Sequence, residues 1–177
     1  MTTAYRFMVF FRAVFGGLLI WCLFAQRAEL TIEFGIPFLL TLVLPYLGKR
    51  DSDYYRVDSM FSILFLVSLL FSFYQAWPDL FTWHSPDKAF HLLAGATIAS
   101  LGMLLYKKRI PNTPAFLATV VLFSLAIGAG WEVFEYVISQ LPSGLMVPST
   151  GYEDSMMDLV ADAIGALISG LVFLPKK

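Results

Sequence analysis

Long uncharged stretches alternate with short charged ones along this chain. Three run unbroken: Ser59–Pro78, Ala89–Tyr106 and Ile110–Trp131. Crossing the hydrocarbon of a bilayer takes roughly 20 residues. Three shorter stretches, Ala13–Gln26, Phe34–Gly48 and Ala163–Pro175, reach that length only by admitting a charge: Arg12, Glu33, or Asp158 with Asp162. The pattern predicts an all-α polytopic membrane helix bundle of about six transmembrane helices, in a single integral-membrane domain over residues 1–177. Their expected bounds are Phe7–Ala25, Leu30–Leu47, Val57–Trp77, Lys88–Tyr106, Ala115–Gln140 and Asp154–Leu174. Helix is the expected state because an open sheet edge has no partner in lipid. Pro78, Pro86, Pro111, Pro114, Pro142 and Pro148 are expected in the connections, where a helix breaker belongs.

Composition agrees. Of 177 residues, 58% are hydrophobic and 14% charged, against about 25% charged in a soluble domain. A water-soluble fold of this size has too little interior to hide so much apolar surface. The net charge of −1 excludes nucleic acid as an expected partner. A single cysteine, Cys22, excludes an internal disulfide framework. The first hydrophobic stretch is long for a signal peptide and lacks a small-x-small cleavage site, so it is expected to stay as a span.

Basic residues sort by side. Arg6, Arg12, Lys49, Arg50, Arg56, Lys107, Lys108, Arg109, Lys176 and Lys177 fall on one side of the predicted bundle, and only Arg27 and Lys88 on the other. Positive charge concentrates on cytoplasmic loops. Both termini are therefore expected in the cytoplasm, in a multi-pass protein of the cytoplasmic (inner) membrane.

With that topology the acids gather at the opposite face. The fourth span enters with Asp87-Lys88-Ala89-Phe90-His91, the fifth exits through Trp131-Glu132-Val133-Phe134-Glu135, and the sixth re-enters with Asp154-Ser155-Met156-Met157-Asp158 before Asp162. Asp87 and His91 are four apart, Glu132 and Glu135 three apart, and Asp154, Asp158 and Asp162 successive at four, so each set shares a helical stripe. Gly95, Gly128, Gly165 and Ala166 extend the same stripes. Small residues let helices approach closely in lipid, which places the acids inside the bundle.

An intramembrane carboxylate costs about 2.5–3.5 kcal/mol on insertion scales. Asp87, His91, Glu132, Asp158 and Asp162 are therefore candidate ligands of a divalent metal ion, with Glu135 or Asp154 as a general base. Oxygen-rich ligands suit Mg²⁺, Mn²⁺ or Ca²⁺, and the imidazole suits Zn²⁺ or Fe²⁺. Asp87 and Asp154 also fit as first-turn acids favoured by the helix dipole, His91 as an interfacial hydrogen-bonder, and Glu135 as a solvated residue. Lys88 is expected to point away from the Asp87–His91 stripe. Trp77, Trp83, Trp131 and Tyr136 fit an interfacial aromatic belt, and His84 a loop. Arg12, Glu33 and Asp58 are expected at interfaces or in ion pairs.

The motifs Asp87-Lys88-x-x-His91, Trp131-Glu132-x-x-Glu135 and Asp154-Ser155-x-x-Asp158-Leu159 with Gly165-Ala166 resemble, in this order, the YjdF-type family of uncharacterised bacterial inner-membrane proteins, and more loosely VanZ-like proteins. The likeness covers roughly the second half, from Asp87 onward, together with the general hydrophobic layout before it. It implies a polytopic inner-membrane protein whose acidic and histidine positions recur as a set, and it assigns no reaction. The chain departs from relatives at Pro148-Ser149-Thr150-Gly151-Tyr152-Glu153, where they often carry a longer stretch with Gly and Asp.

Two kinds of function remain, besides a structural or accessory role. One is a divalent-metal-dependent membrane enzyme acting on a lipid or envelope precursor. The other is a proton- or cation-coupled transporter, which at this length would need an oligomer to supply a repeat. The lipid bilayer is the expected partner in every case.

Overall fold

The computed structural model describes residues 3–24, 35, 38–39, 42, 54–55, 57–64, 86–111, 113–140, 151–172 and 174. These residues are helical apart from short turns and ends. The chain divides into two units, Met1–Trp83 and His84–Lys177.

In the first unit, α1 spans Thr3–Phe24, against an expected start at Phe7. Phe15 is buried on it, packed by Phe11, Leu18, Leu19 and Phe38. Residues 57–64 are helical and bury Val57, Phe61 and Leu64, the i, i+4, i+7 positions of one face. Arg12 Nη2 donates to Asp58 Oδ1 at 2.8 Å, and Asp58 is fully buried. Of the two placements expected for these residues, an interface or an ion pair, the structure shows the pair, formed with each other. Most of the second expected span, the second half of the third, and Glu33, Trp77, Trp83 and His84 lie outside the described residues.

The second unit holds α2 (Pro86–Tyr106), α3 (Thr113–Ser139) and α4 (Tyr152–Val172). By length and composition all three can cross a membrane, while Val9–Trp21 in α1 is apolar but shorter. Their starts fall two residues ahead of the expected ones. The reason is visible in α2 and α3: Pro86 and Pro114, expected in connections, stand in the first helical turn. There the missing N–H costs nothing and the fixed φ already suits the helix. Pro111 does lie in the connection. At the start of α4, Gly151 adopts φ +110°, a conformation that strains L residues, and its carbonyl accepts from the amides of Asp154 and Ser155.

The pairing of residues fixes the helix directions. Lys88 meets Asp154, Leu92 meets Gly165, and Ser100 meets Ser169, so α2 and α4 run parallel. Glu132 meets His91, Ser124 meets Gly95, and Phe123 meets Gly102, so α3 runs against them. A short turn at Lys107–Arg109, with all three basic side chains exposed, joins α2 to α3. The apolar core of the unit is Ala99, Met103, Phe116, Val120 and Ala166. It occupies the end of the bundle nearest that turn. The other end, where α2 and α4 begin and α3 finishes, is left to the polar side chains.

Glycine makes the approach of α2 to α4 possible. A Cβ on Gly95 would fall on the backbone of Asp162, and one on Gly165 on the carbonyl of Leu92. The close-packing faces of these helices therefore coincide with their polar stripes.

Candidate functional site

His91 stands at the centre of the polar end. It is 4% exposed, and Asp158 and Asp162 are each 3% exposed. Its Nε2 lies 3.9 Å from Asp87 Oδ1, 3.8 Å from Glu132 Oε1 and 3.8 Å from Asp158 Oδ1. Its Nδ1 lies 3.5 Å from Asp162 Oδ2 on the other side of the ring. All five residues expected as metal ligands are thus brought together by three helices. Asp87, His91 and Asp158 each offer a ligand atom within 4.8 Å of the others, a spacing able to hold a metal ion.

Lys88 corrects an expectation. Its Nζ does not point away from the stripe: it donates to Asp87 Oδ2 at 3.1 Å, to Asp158 Oδ1 at 2.5 Å and to Asp154 Oδ1. The long stem carries the ammonium across to α4 although its Cβ leaves α2 beside that of Asp87. Asp87 therefore divides its oxygens, one toward His91 and one on Lys88. Asp154 is committed to Lys88.

Glu132 is different. Its side chain is 9% exposed, yet Oε1 has no hydrogen-bond partner among the described residues. An orphaned buried carboxylate oxygen is costly, and this one faces the open Nε2 side of His91. Glu135, one turn further along α3, is half-buried. Trp131 packs against Phe134 with ring centroids 5.6 Å apart, and Tyr136 is exposed.

First-turn dipoles account for some of the charge. Asp87 opens α2, and Glu153 and Asp154 open α4. Asp158 and Asp162 lie too far along for that. Asp162 is ten residues beyond Tyr152, about 15 Å at 1.5 Å per residue, halfway along α4.

A second polar layer follows, beyond the residues expected from the sequence. Ser124 donates to the carbonyl of Gly95 at 3.0 Å, and the buried hydroxyls of Ser100 and Ser169 meet at 2.8 Å. Ser169 lies seven residues after Asp162, on the same stripe, and extending that stripe by two turns would have found it.

Three apolar helices of membrane-crossing length that share a buried acidic and histidine cluster make this a membrane protein. The chain belongs to the family described as "Predicted membrane protein (DUF2238)", which matches residues 7–175. That is the uncharacterised membrane family the three motifs resemble; the looser VanZ likeness remains a resemblance. No curated protein and no solved structure matches the chain.

Proposed function

We propose that the polar end of the second unit binds a divalent cation, and that the protein is a metal-dependent membrane enzyme acting on a lipid or envelope precursor. Glu132 carries the reading: a buried carboxylate oxygen with no hydrogen bond, 3.8 Å from an imidazole nitrogen that two further carboxylates flank. A direct N–H···O bond would bring these atoms to about 2.7–3.2 Å. Ligands about 2.0–2.6 Å from a common ion stand about 3–4 Å apart, and the separations around Nε2 fall at the wide end of that spacing.

His91, Asp87, Asp158 and Glu132 are the proposed ligands. A divalent ion held there would polarise an ester or phosphoryl oxygen and acidify water. Lys88 would offset the charge of the acids at the rim and leave Asp154 occupied. The general-base role then falls to Glu135, which Lys88 does not engage in the structure. Six spans with cytoplasmic termini would place the site at the outer face, open to lipid-linked precursors.

Purified protein incubated with envelope lipid extract tests this. Turnover is expected to stop with chelator, to return with one divalent ion, and to be lost in Glu132→Gln with helix content intact. Turnover indifferent to chelator and to Glu132→Gln would overturn the reading. The mid-span depth of Asp162 and the serine layer beyond it favour a second reading, a cation-coupled transporter. Ion flux in proteoliposomes without lipid turnover would select it.

A further inference from the structure

We infer that Asp162 is a positioning residue that holds the His91 imidazole with its Nε2 lone pair toward Asp87, Glu132 and Asp158, rather than a fourth carboxylate ligand. The inference rests on the cation site proposed above and assigns Asp162 a different part in it from the one its spacing suggests.

The geometry separates the two sides of the ring. Asp87, Glu132 and Asp158 approach Nε2, and Asp162 approaches Nδ1. An imidazole that ligates through one nitrogen carries its proton on the other and donates it to a carboxylate or carbonyl, which fixes tautomer and orientation. Asp162 Oδ2 at 3.5 Å is the acceptor on that side.

Its placement is built by two neighbouring helices. A Cβ on Gly128 of α3 would fall on Asp162 Oδ2, and a Cβ on Gly95 of α2 on the Asp162 backbone. The carboxylate therefore lies in a notch that glycine leaves open at Gly128, and the backbone that carries it is seated against Gly95. It is buried to 3% exposure. The orphaned Glu132 oxygen is the independent sign that something cationic belongs opposite.

The test uses the full-length protein in nanodiscs with His84→Gln, which leaves His91 as the single imidazole. Zn²⁺ affinity and the ¹⁵N shifts of the ring are read together. The expected parent binds Zn²⁺ with Nδ1 protonated. Asp162→Asn is expected to bind about 10–100-fold more weakly and to show mixed tautomers. Asp162→Glu keeps the charge but overfills the notch, so it is not expected to restore affinity. Unchanged affinity and tautomer in Asp162→Asn, or full rescue by Glu, overturns the positioning role and leaves the cation site standing. A parent that binds no Zn²⁺ overturns both. If Asp162→Asn does not fold, Gly128→Ala reaches the same contact from α3. Weaker Zn²⁺ binding there supports the inference, and unchanged binding overturns it.

Discussion

Replacing Gly95 by alanine should separate the two helices on which the site depends. The new Cβ would meet the carbonyl oxygen, Cα and carbonyl carbon of Asp162. These are backbone atoms, so no side-chain rotation relieves the overlap, and α2 must move away from α4. Overpacking costs about 1–3 kcal/mol, and a backbone obstacle puts this case at the upper end. Better helix propensity returns up to about 1 kcal/mol. The net expectation is a loss of about 2 kcal/mol. Gly130→Ala is the control, since nothing lies within 4 Å of its new Cβ; it should be neutral or stabilising by up to about 1 kcal/mol. Unfolding of purified protein in mixed micelles, followed by circular dichroism, measures both. If Gly95→Ala proves no less stable than Gly130→Ala, α2 and α4 do not meet at Gly95 and Asp162, and the site as described does not form.

Lys88→Met should cost about 1–3 kcal/mol. A broken buried pair costs 3–5 kcal/mol, but Asp87 and Asp154 are about a third exposed and only Asp158 is buried. Added divalent cation should recover part of that loss in the same unfolding assay, whereas monovalent salt at equal ionic strength should not. Ser169→Ala should cost about 1 kcal/mol by removing its buried hydroxyl contact with Ser100, whose bond to the Ala96 carbonyl remains. The double variant with Ser100→Ala should lose less than the sum of the two, as a double-mutant cycle would show.

The spans of the second unit were legible because lipid imposes a length on uncharged runs. Their starts were less so: Pro86 and Pro114 read as breakers, yet a proline fits the first turn as well as a loop. Stripe spacing brought Asp87, His91, Glu132, Asp158 and Asp162 to one face, and the structure gathers them around one imidazole. What spacing cannot carry is where a long side chain ends. The position of Lys88 sets only the direction of its Cβ, and its ammonium lies some four bonds further on, against Asp154 and Asp158 of α4. Nor does spacing tell one ring nitrogen from the other, so Asp162 looked equivalent to Asp158. The Arg12–Asp58 pair shows the same limit, since its partners are 46 residues apart and nothing local announces the match.

The central claim is that His91, Asp87, Asp158 and Glu132 hold a divalent cation. Elemental analysis of protein purified without chelator tests it most directly, with Asp158→Ala as the comparison. About one divalent ion per chain in the parent, lost in a variant that keeps its helix content, is the predicted result. A folded parent free of metal, with no gain in thermal stability from added Mg²⁺, Mn²⁺ or Zn²⁺, would contradict it and leave Lys88 and a protonated His91 to neutralise the acids.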